Sequence, residues 1–311
     1  MPKIRYQQIN LRPDTLAIIA ACDSIVREYQ AQGFLLTLRQ IYYKFVARDL
    51  FPEDRRWTWT GTKWIRDPKG TKNAEPNYKW LGCIVNDGRL AGLLDWSAIE
   101  DRTRELQKLP HFNSPGEIVK ACSEQFNVDL WADQKFRPEI WIEKDALVGI
   151  IEDVCNELDV PFFSCRGYTS QSEMWSAAMR LKSYQRQHMI PVIFHFGDHD
   201  PSGQDMTRDI IDRMQMFMGG TTIERLALNM DQIEEYDPPP SPAKLTDTRC
   251  RTYIETFGED SWELDALEPA VIVDIIRTHI LAVMDRKKFK KRVLLRDEGR
   301  KTLKRVAEKL S

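Results

Sequence analysis

No two cysteines in this chain form a Cys-x-x-Cys pair. The six present, Cys22, Cys83, Cys122, Cys155, Cys165 and Cys250, are scattered. That argues against a zinc site and for reduced thiols in a cytoplasmic protein. No apolar run approaches the ~20 residues that a membrane-spanning helix needs, so no membrane partner is expected. The N-terminus lacks an apolar h-region, and no signal peptide is expected. Gly-x-x-x-x-Gly-Lys-Ser/Thr is missing, as is any other nucleotide-binding fingerprint. The chain alone is therefore not expected to couple ATP to movement. An excess of one charge is missing too. The formal net charge is −2 over 311 residues, so any nucleic-acid surface must come from local clustering.

What is present suffices for two domains with packed cores, at 42% hydrophobic and 30% charged residues. Two stretches organise the chain. Pro138-Glu139-Ile140-Trp141-Ile142-Glu143 reads as a strand running into acid, with a helical pattern over 146–158 behind it. Pro191 to Phe196 is a second apolar strand. It runs into Gly197-Asp198-His199-Asp200-Pro201-Ser202-Gly203, then a helical pattern over 206–218. Val160 to Phe163 and 221–228 read as further strands, and 170–187 as a helix. Strands alternating with helices predict a parallel sheet covered on both faces. In such sheets ligands bind beyond the carboxyl ends of the strands, where Glu143, Asp198 and Asp200 would lie. Three gathered carboxylates repel unless a cation or proton neutralises them. A magnesium ion facing a phosphate suits that set, with manganese as a substitute. An isolated Asp-x-Asp is also commonly a turn or a helix cap.

Residues 13–31 show a helical pattern opened by Pro13-Asp14. A second runs from Thr37, a plausible N-cap, to Leu50. Between them Gly33 marks a short turn, consistent with helix-turn-helix. Residues 52–79 interleave Arg55, Arg56, Lys63 and Arg66 with Trp57, Trp59 and Trp64, broken by Gly61, Pro68, Gly70 and Pro76. This predicts an exposed loop or long hairpin. It either contacts DNA phosphates or is a solvated loop whose tryptophans pack on the domain. With helical patterns at 78–88 and 99–104, the unit reads as a winged helix whose second helix would enter the major groove. A connector with a helix over 116–126 leads to the sheet. Asp237 to Pro242 reads as a rigid linker, followed by a helical region over 252–284. The tail from Arg286 to Lys309, including Lys287 and Lys288, is strongly basic. It is read as a phosphate-tracking helix or, as such runs usually are, a solvated one.

Ile142-Glu143-Lys144-Asp145-Ala146 and Gly197-Asp198-His199-Asp200-Pro201-Ser202-Gly203 resemble the two signature segments of a Toprim domain. With Arg166-Gly167-Tyr168 between them, they resemble the A subunit of topoisomerase VI and its meiotic double-strand-break relatives. Arg39-Gln40-Ile41-Tyr42-Tyr43 resembles that family's Arg-Asp-Ile-Tyr-Tyr signature, with Gln40 in place of the acid. Ser261 to Leu267 is similar to a further segment of the family. The resemblance spans residues 35–285 and implies Tyr43 as nucleophile. It also implies a homodimer in which the tyrosine of one subunit works against the Toprim unit of the other, and in topoisomerase VI a separate ATPase subunit.

The expectation is thus an α/β chain of two domains. Residues 1–135 form a winged-helix DNA-binding domain carrying the tyrosine. Residues 136–311 form a Toprim-like parallel-sheet domain with a helical, basic C-terminal extension. The expected activity is magnesium-dependent DNA cleavage by tyrosyl transesterification, leaving a 5′-phosphotyrosine. Tyr43 is the expected nucleophile and Arg39 its electrostatic helper. Glu143, Asp198 and Asp200 hold the metal, with Glu143 also a candidate acid or base. Arg55, Arg56, Lys63, Arg66, Lys144, Arg166, Lys287 and Lys288 are the DNA-contact candidates, and His199 is a further residue near the phosphate. The alternatives are a hydrolytic Toprim nuclease, in which Tyr43 is structural, and a non-catalytic DNA-binding protein of the same fold.

Overall fold

The structure is a computed structural model that describes residues 3–99, 109–243 and 249–310. It is a mixed α/β fold. Helix α1 (Pro13–Gln30) begins with proline in its first turn and buries Ile18, Ile19, Cys22, Ile25, Val26 and Tyr29 along one face. Helix α2 (Leu38–Ala47) starts from a reciprocal cap: Thr37 Oγ1 accepts from Gln40 N, and Gln40 Oε1 accepts from Thr37 N. Six consecutive α2 residues, Gln40 to Phe45, are buried. The helix is therefore enclosed by neighbours, not displayed on a surface as a groove-reading helix would be.

Strands β1 (Trp57–Trp59) and β2 (Trp64–Arg66) form a short antiparallel hairpin, with Trp59 opposite Trp64. Asn77 fixes its base: the amide is fully buried, accepts from Trp57 Nε1 at 2.9 Å and donates to the Arg55 and Lys72 carbonyls. Of the expected exposed loop or long hairpin, the structure shows a short hairpin, pinned to helix α3 (Glu75–Leu90). Of the helical pattern expected over 99–104, only Ile99 is described. Helix α4 (Pro115–Gln125), capped by Ser114, occupies the connector.

The expected parallel sheet follows. It comprises β3 (Phe136–Ile142), α5 (Val148–Glu157), β4 (Phe162–Ser164), α6 (Gln171–Arg186), β5 (Ile190–Phe196), α7 (Pro201–Met218) and β6 (Thr222–Ala227). The four strands lie in the order β4-β3-β5-β6, all parallel. Alternate side chains feed two cores. Ile140, Ile142, Phe194 and Phe196 pack with α5 residues on one face, and Trp141 and Ile193 pack with residues of α6 and α7 on the other. The one acid inside β3, Glu139, is neutralised by two bonds from Arg180 and one from Trp141 Nε1.

After β6 come α8 (Met230–Tyr236), β7 (Ser241–Pro242), α9 (Cys250–Phe257), β8 (Asp260–Ser261), α10 (Pro269–Val283) and α11 (Arg286–Leu310). The Pro-rich stretch read as a linker instead ends in β7, which pairs with β8 and accepts Asn73 Nδ2 at Pro240 O and Ser241 Oγ. Helix α10 covers the α5 face of the sheet, with Ile272, Ile276 and Ile280 in that core. Helix α11 lies against α4. Among the described residues no helix is long and apolar enough to cross a membrane.

Gly203, in the first turn of α7, sits under the end of β5: a Cβ there would lie 2.2 Å from the Asp198 carbonyl oxygen. Alanine ordinarily favours a helix over glycine by about 1 kcal/mol. Here Gly203→Ala should instead destabilise the fold by about 1–3 kcal/mol through overpacking against backbone. Urea unfolding of the two proteins measures this as a lowered midpoint at unchanged slope.

Candidate functional site

The chain reverses direction across the sheet between β3 and β5. The helix that follows β3 lies on one face and the helix that follows β5 on the other, which makes their carboxyl ends the crevice where such folds bind ligands. Glu143 and Asp198 meet there, the Asp198 amide donating to Glu143 Oε2 at 2.8 Å. Gly197 permits this approach, since a Cβ on it would sit 3.1 Å from both Glu143 Oε2 and Arg225 Nη1.

The third expected ligand is differently occupied. Asp200 N-caps α7, accepting from Gly203 N at 2.6 Å and from Ser202 Oγ at 3.1 Å. His199 is buried, paired through its backbone with Trp262 and bonded through Nδ1 to the Tyr253 hydroxyl. Burial holds its pKa down at about 4. It therefore forms a wall of the site, held there through Nδ1 and its backbone.

Lys144 is the hub. Its ammonium lies 2.9 Å from Asp198 Oδ2, 2.5 Å from Glu263 Oε2 and 3.0 Å from Asp265 Oδ1. Burial opposes its charge, but those three acids raise its pKa well above the usual lysine value. It is thus held inward and does not present itself to DNA. Arg39, from α2, reaches the same acids. It bonds Glu263, and its Nε stands 3.0 Å from Asp265 Oδ2 as an ion pair. Lys44 and Tyr29 meet Glu268 on the same segment. The stretch Glu263 to Glu268 therefore fastens the α1–α2 unit to the sheet.

Glu263, Asp265 and Arg225 were not singled out from sequence. The first two lie in Ser261–Leu267, a stretch noted only for its resemblance to the family. Arg225, at the end of β6, donates to the Gly197 and Asp198 carbonyls at 2.9 and 2.5 Å. Nothing in its local sequence marks it.

Tyr42 and Tyr43 differ in their bonding. The Tyr42 hydroxyl donates to Asn73 Oδ1 at 2.9 Å and approaches Ala74 O at 3.2 Å. The Tyr43 hydroxyl has no hydrogen-bond partner among the described residues. Tyr43 is 3% exposed and lines a cavity of about 420 Å³ together with Arg39, Trp59, Trp64, Tyr78 and Glu263. Burial, then Asp265 and Glu263, push its phenol pKa far up, against the opposing pull of Arg39 and Lys144. Arg39 lies 5.9 Å from the Tyr43 ring centre, but its charge is already shared with two acids.

The other cationic candidates spread over the surface. Arg55 stacks on Trp80 at 3.8 Å, Arg56 pairs with Glu53, and Arg66 covers Trp57. Lys63 is exposed at the hairpin tip. Arg166 is exposed and paired with Asp145 at 2.8 Å. Lys287 is exposed at the start of α11, and Lys288 Nζ donates to Asp133 O. The structure gathers Tyr43, Arg39, Lys144, Glu143 and Asp198 around one end of the sheet. Arg166 stands at that end beyond β4, exposed and paired with Asp145, while Lys287 and Lys288 lie on α11.

Whether this set suits a magnesium ion is a question of charge and donors. Glu143, Asp198, Asp200, Glu263 and Asp265 are hard oxygen donors against the cations Lys144, Arg39 and Arg225. Glu143 and Asp198 are both pushed toward protonation, first by burial. Residual carboxylate repulsion of this kind is what a divalent ion relieves. Among the described residues, however, no three such groups stand together as a finished metal cage. The set fits the ion in charge and donor type. Asp198 is shared with Lys144 and the Leu264 amide, and Asp200 with its helix cap. No family model, curated protein or solved structure matches this chain.

Asp198 provides a pH test. Burial, reinforced by Glu143, Asp265 and Glu263, raises it to about 7 from an ordinary value of 3.8. The folded state thus keeps a proton that the unfolded chain releases. Its contribution to stability is full below about pH 4 and is lost as pH rises through about 7. The unfolding free energy of the wild type should therefore fall more between pH 5 and pH 8 than that of Asp198→Asn. Urea titrations at the two pH values check the difference.

Proposed function

We propose that this protein cleaves DNA by transferring a phosphodiester to Tyr43, in the manner of the topoisomerase VI A family that its motifs resemble. One observation carries the reading: a tyrosine with an unbonded hydroxyl faces a cavity wall, Glu263, that Lys144 connects directly to Asp198. Phenol and strand-end acids thus belong to one electrostatic unit within a single chain. In this reading the parallel sheet is a Toprim-like unit. The α1–α2–hairpin–α3 assembly is a variant of the winged helix, with α2 positioning the nucleophile instead of reading a groove.

The reaction exchanges one ester for another. The Tyr43 hydroxyl gives its proton to solvent, its oxygen bonds to phosphorus, the bond from phosphorus to the 3′ oxygen breaks, and the 3′ oxygen leaves with a proton. The product is a 5′-phosphotyrosine that keeps the energy needed for resealing. Glu143, whose pKa is raised, is suited to give that proton. Arg39 and Lys144 oppose the acids that disfavour a phenolate. A magnesium ion held by Glu143, Asp198 and Asp200 would neutralise phosphate charge. Tyr43 is linked to the strand-end acids through Glu263 and Lys144. The homodimer that the resemblance implies would hold two strands.

The burial and raised pKa of Tyr43 favour a second reading, in which it is a packing residue and water attacks the phosphate. One assay separates the two. Supercoiled DNA is incubated with the protein and magnesium or manganese, and the reaction is stopped with detergent. DNA ends that stay bound until protease treatment are expected. Tyr43→Phe should lose at least 1,000-fold of cleavage, on the scale of about 10³ or more for removing a nucleophile, and keep DNA binding. Tyr42→Phe should retain cleavage, and Asp198→Ala should lose it. Free 5′-phosphate ends, with Tyr43→Phe fully active, would establish hydrolysis instead.

A further inference from the structure

The cavity beside Tyr43 has a chemistry that a phosphodiester does not need. Trp59 and Trp64 face each other across the hairpin, their ring centres 5.5 Å apart and inclined at 53°. They turn to the same side of the two-stranded ribbon, and both line the cavity with Tyr43 and Tyr78. The indoles are too close to admit a ring between them, so a flat guest would lie on one of their cavity-facing surfaces. The opening lies at the turn: Gly61 is exposed, and a Cβ built on it would meet nothing within 4 Å. The volume of about 420 Å³ falls in the range of small-molecule sites, about 300–1,000 Å³.

Charge decides what enters. The lining carries the carboxylates of Glu75 and Glu263, while its one cation, Arg39, is already held by Glu263 and Asp265. Such a lining offers acceptors to a neutral ring that can donate hydrogen bonds. Glu263 is engaged by Arg39 and Lys144, whereas among the described residues Glu75 pairs only with exposed Lys79, at 2.7 Å. Glu75 is thus the acceptor with capacity to spare. Lys63, which has no ion pair among the described residues, sits outside at the hairpin tip.

We propose that this cavity receives an unpaired nucleobase bearing an exocyclic amino group, stacked on the Trp59–Trp64 face and donating to Glu75. This rests on the reading that DNA is the substrate and narrows it to DNA with at least one unstacked base near the Tyr43 phosphate. Aromatic stacking holds single strands without needing a duplex, and enzymes that act on a base or its neighbour bear the cost of unstacking it.

The test is a binding measurement without magnesium, so it does not depend on cleavage. Short fluorescein-labelled single strands of deoxyadenylate, deoxycytidylate or thymidylate are titrated with the protein and followed by anisotropy. The amino-bearing strands should bind at least 5-fold tighter than thymidylate. Trp64→Ala should weaken them by about 10-fold, within the ~1–3 kcal/mol per stacked base. Glu75→Gln should narrow the preference. Equal binding of all three strands, or a Trp64→Ala protein with unchanged affinity and an unchanged folded spectrum, overturns the inference. Cleavage without base preference removes this inference alone. Base preference in a protein that never cleaves DNA supports it while removing the transesterification reading.

Discussion

A buried ammonium surrounded by three carboxylates holds this molecule together at its functional end. Lys144 would be costly to bury alone, and so would Asp198, Glu263 or Asp265. Together they satisfy one another at 2.5 to 3.0 Å. Because Glu263 and Asp265 also engage Arg39, the same cluster sets where α2 sits. Losing any member strands the others as uncompensated charge, so the cluster couples the stability of the sheet's end to the placement of the tyrosine helix.

That coupling carries a cost for reactivity. The acids that anchor α2 also hold the Tyr43 phenol in its neutral form. In the resting protein the proposed nucleophile is well placed and poorly ionised. Any agent that adds positive charge among the acids, such as a divalent ion, would push the phenol toward reactivity without moving the chain.

Periodicity made the sheet legible. The apolar runs at 138–143 and 191–196 and the turn at Gly197 gave strands, helices and strand-end acids within a residue or two, because local pattern and tertiary burial demand the same thing there. The cap at Thr37 was equally visible. Its partner Gln40, conspicuous as a departure from the family signature, makes the reciprocal bond that an acid would make at that position. The uses of the acids were less visible. Asp200 as a helix cap and Asp198 as a partner of Lys144 depend on which groups arrive from the third dimension. Glu263 and Asp265 come from a turn more than 60 residues beyond Asp198, and no local pattern announces such a meeting. The tryptophans at 57–64 were legible as aromatic. That two of them wall a cavity follows from Asn77 pinning the hairpin, a single amide whose three bonds a sequence does not display.

The last helix illustrates how composition misleads about role. Arg292 grips Asp133 through two bonds, Arg300 reaches the Phe126 carbonyl, and Gly299 lets the Phe126 ring nestle against the backbone of α11. Lys288, Arg292 and Arg300, cations in a run that looks like a tether for polyanions, act as a clasp around the segment leading into β3. Trimming that tail to probe its affinity for nucleic acid would unfasten the approach to the central strand. A lost phenotype would then report on architecture before it reported on recognition.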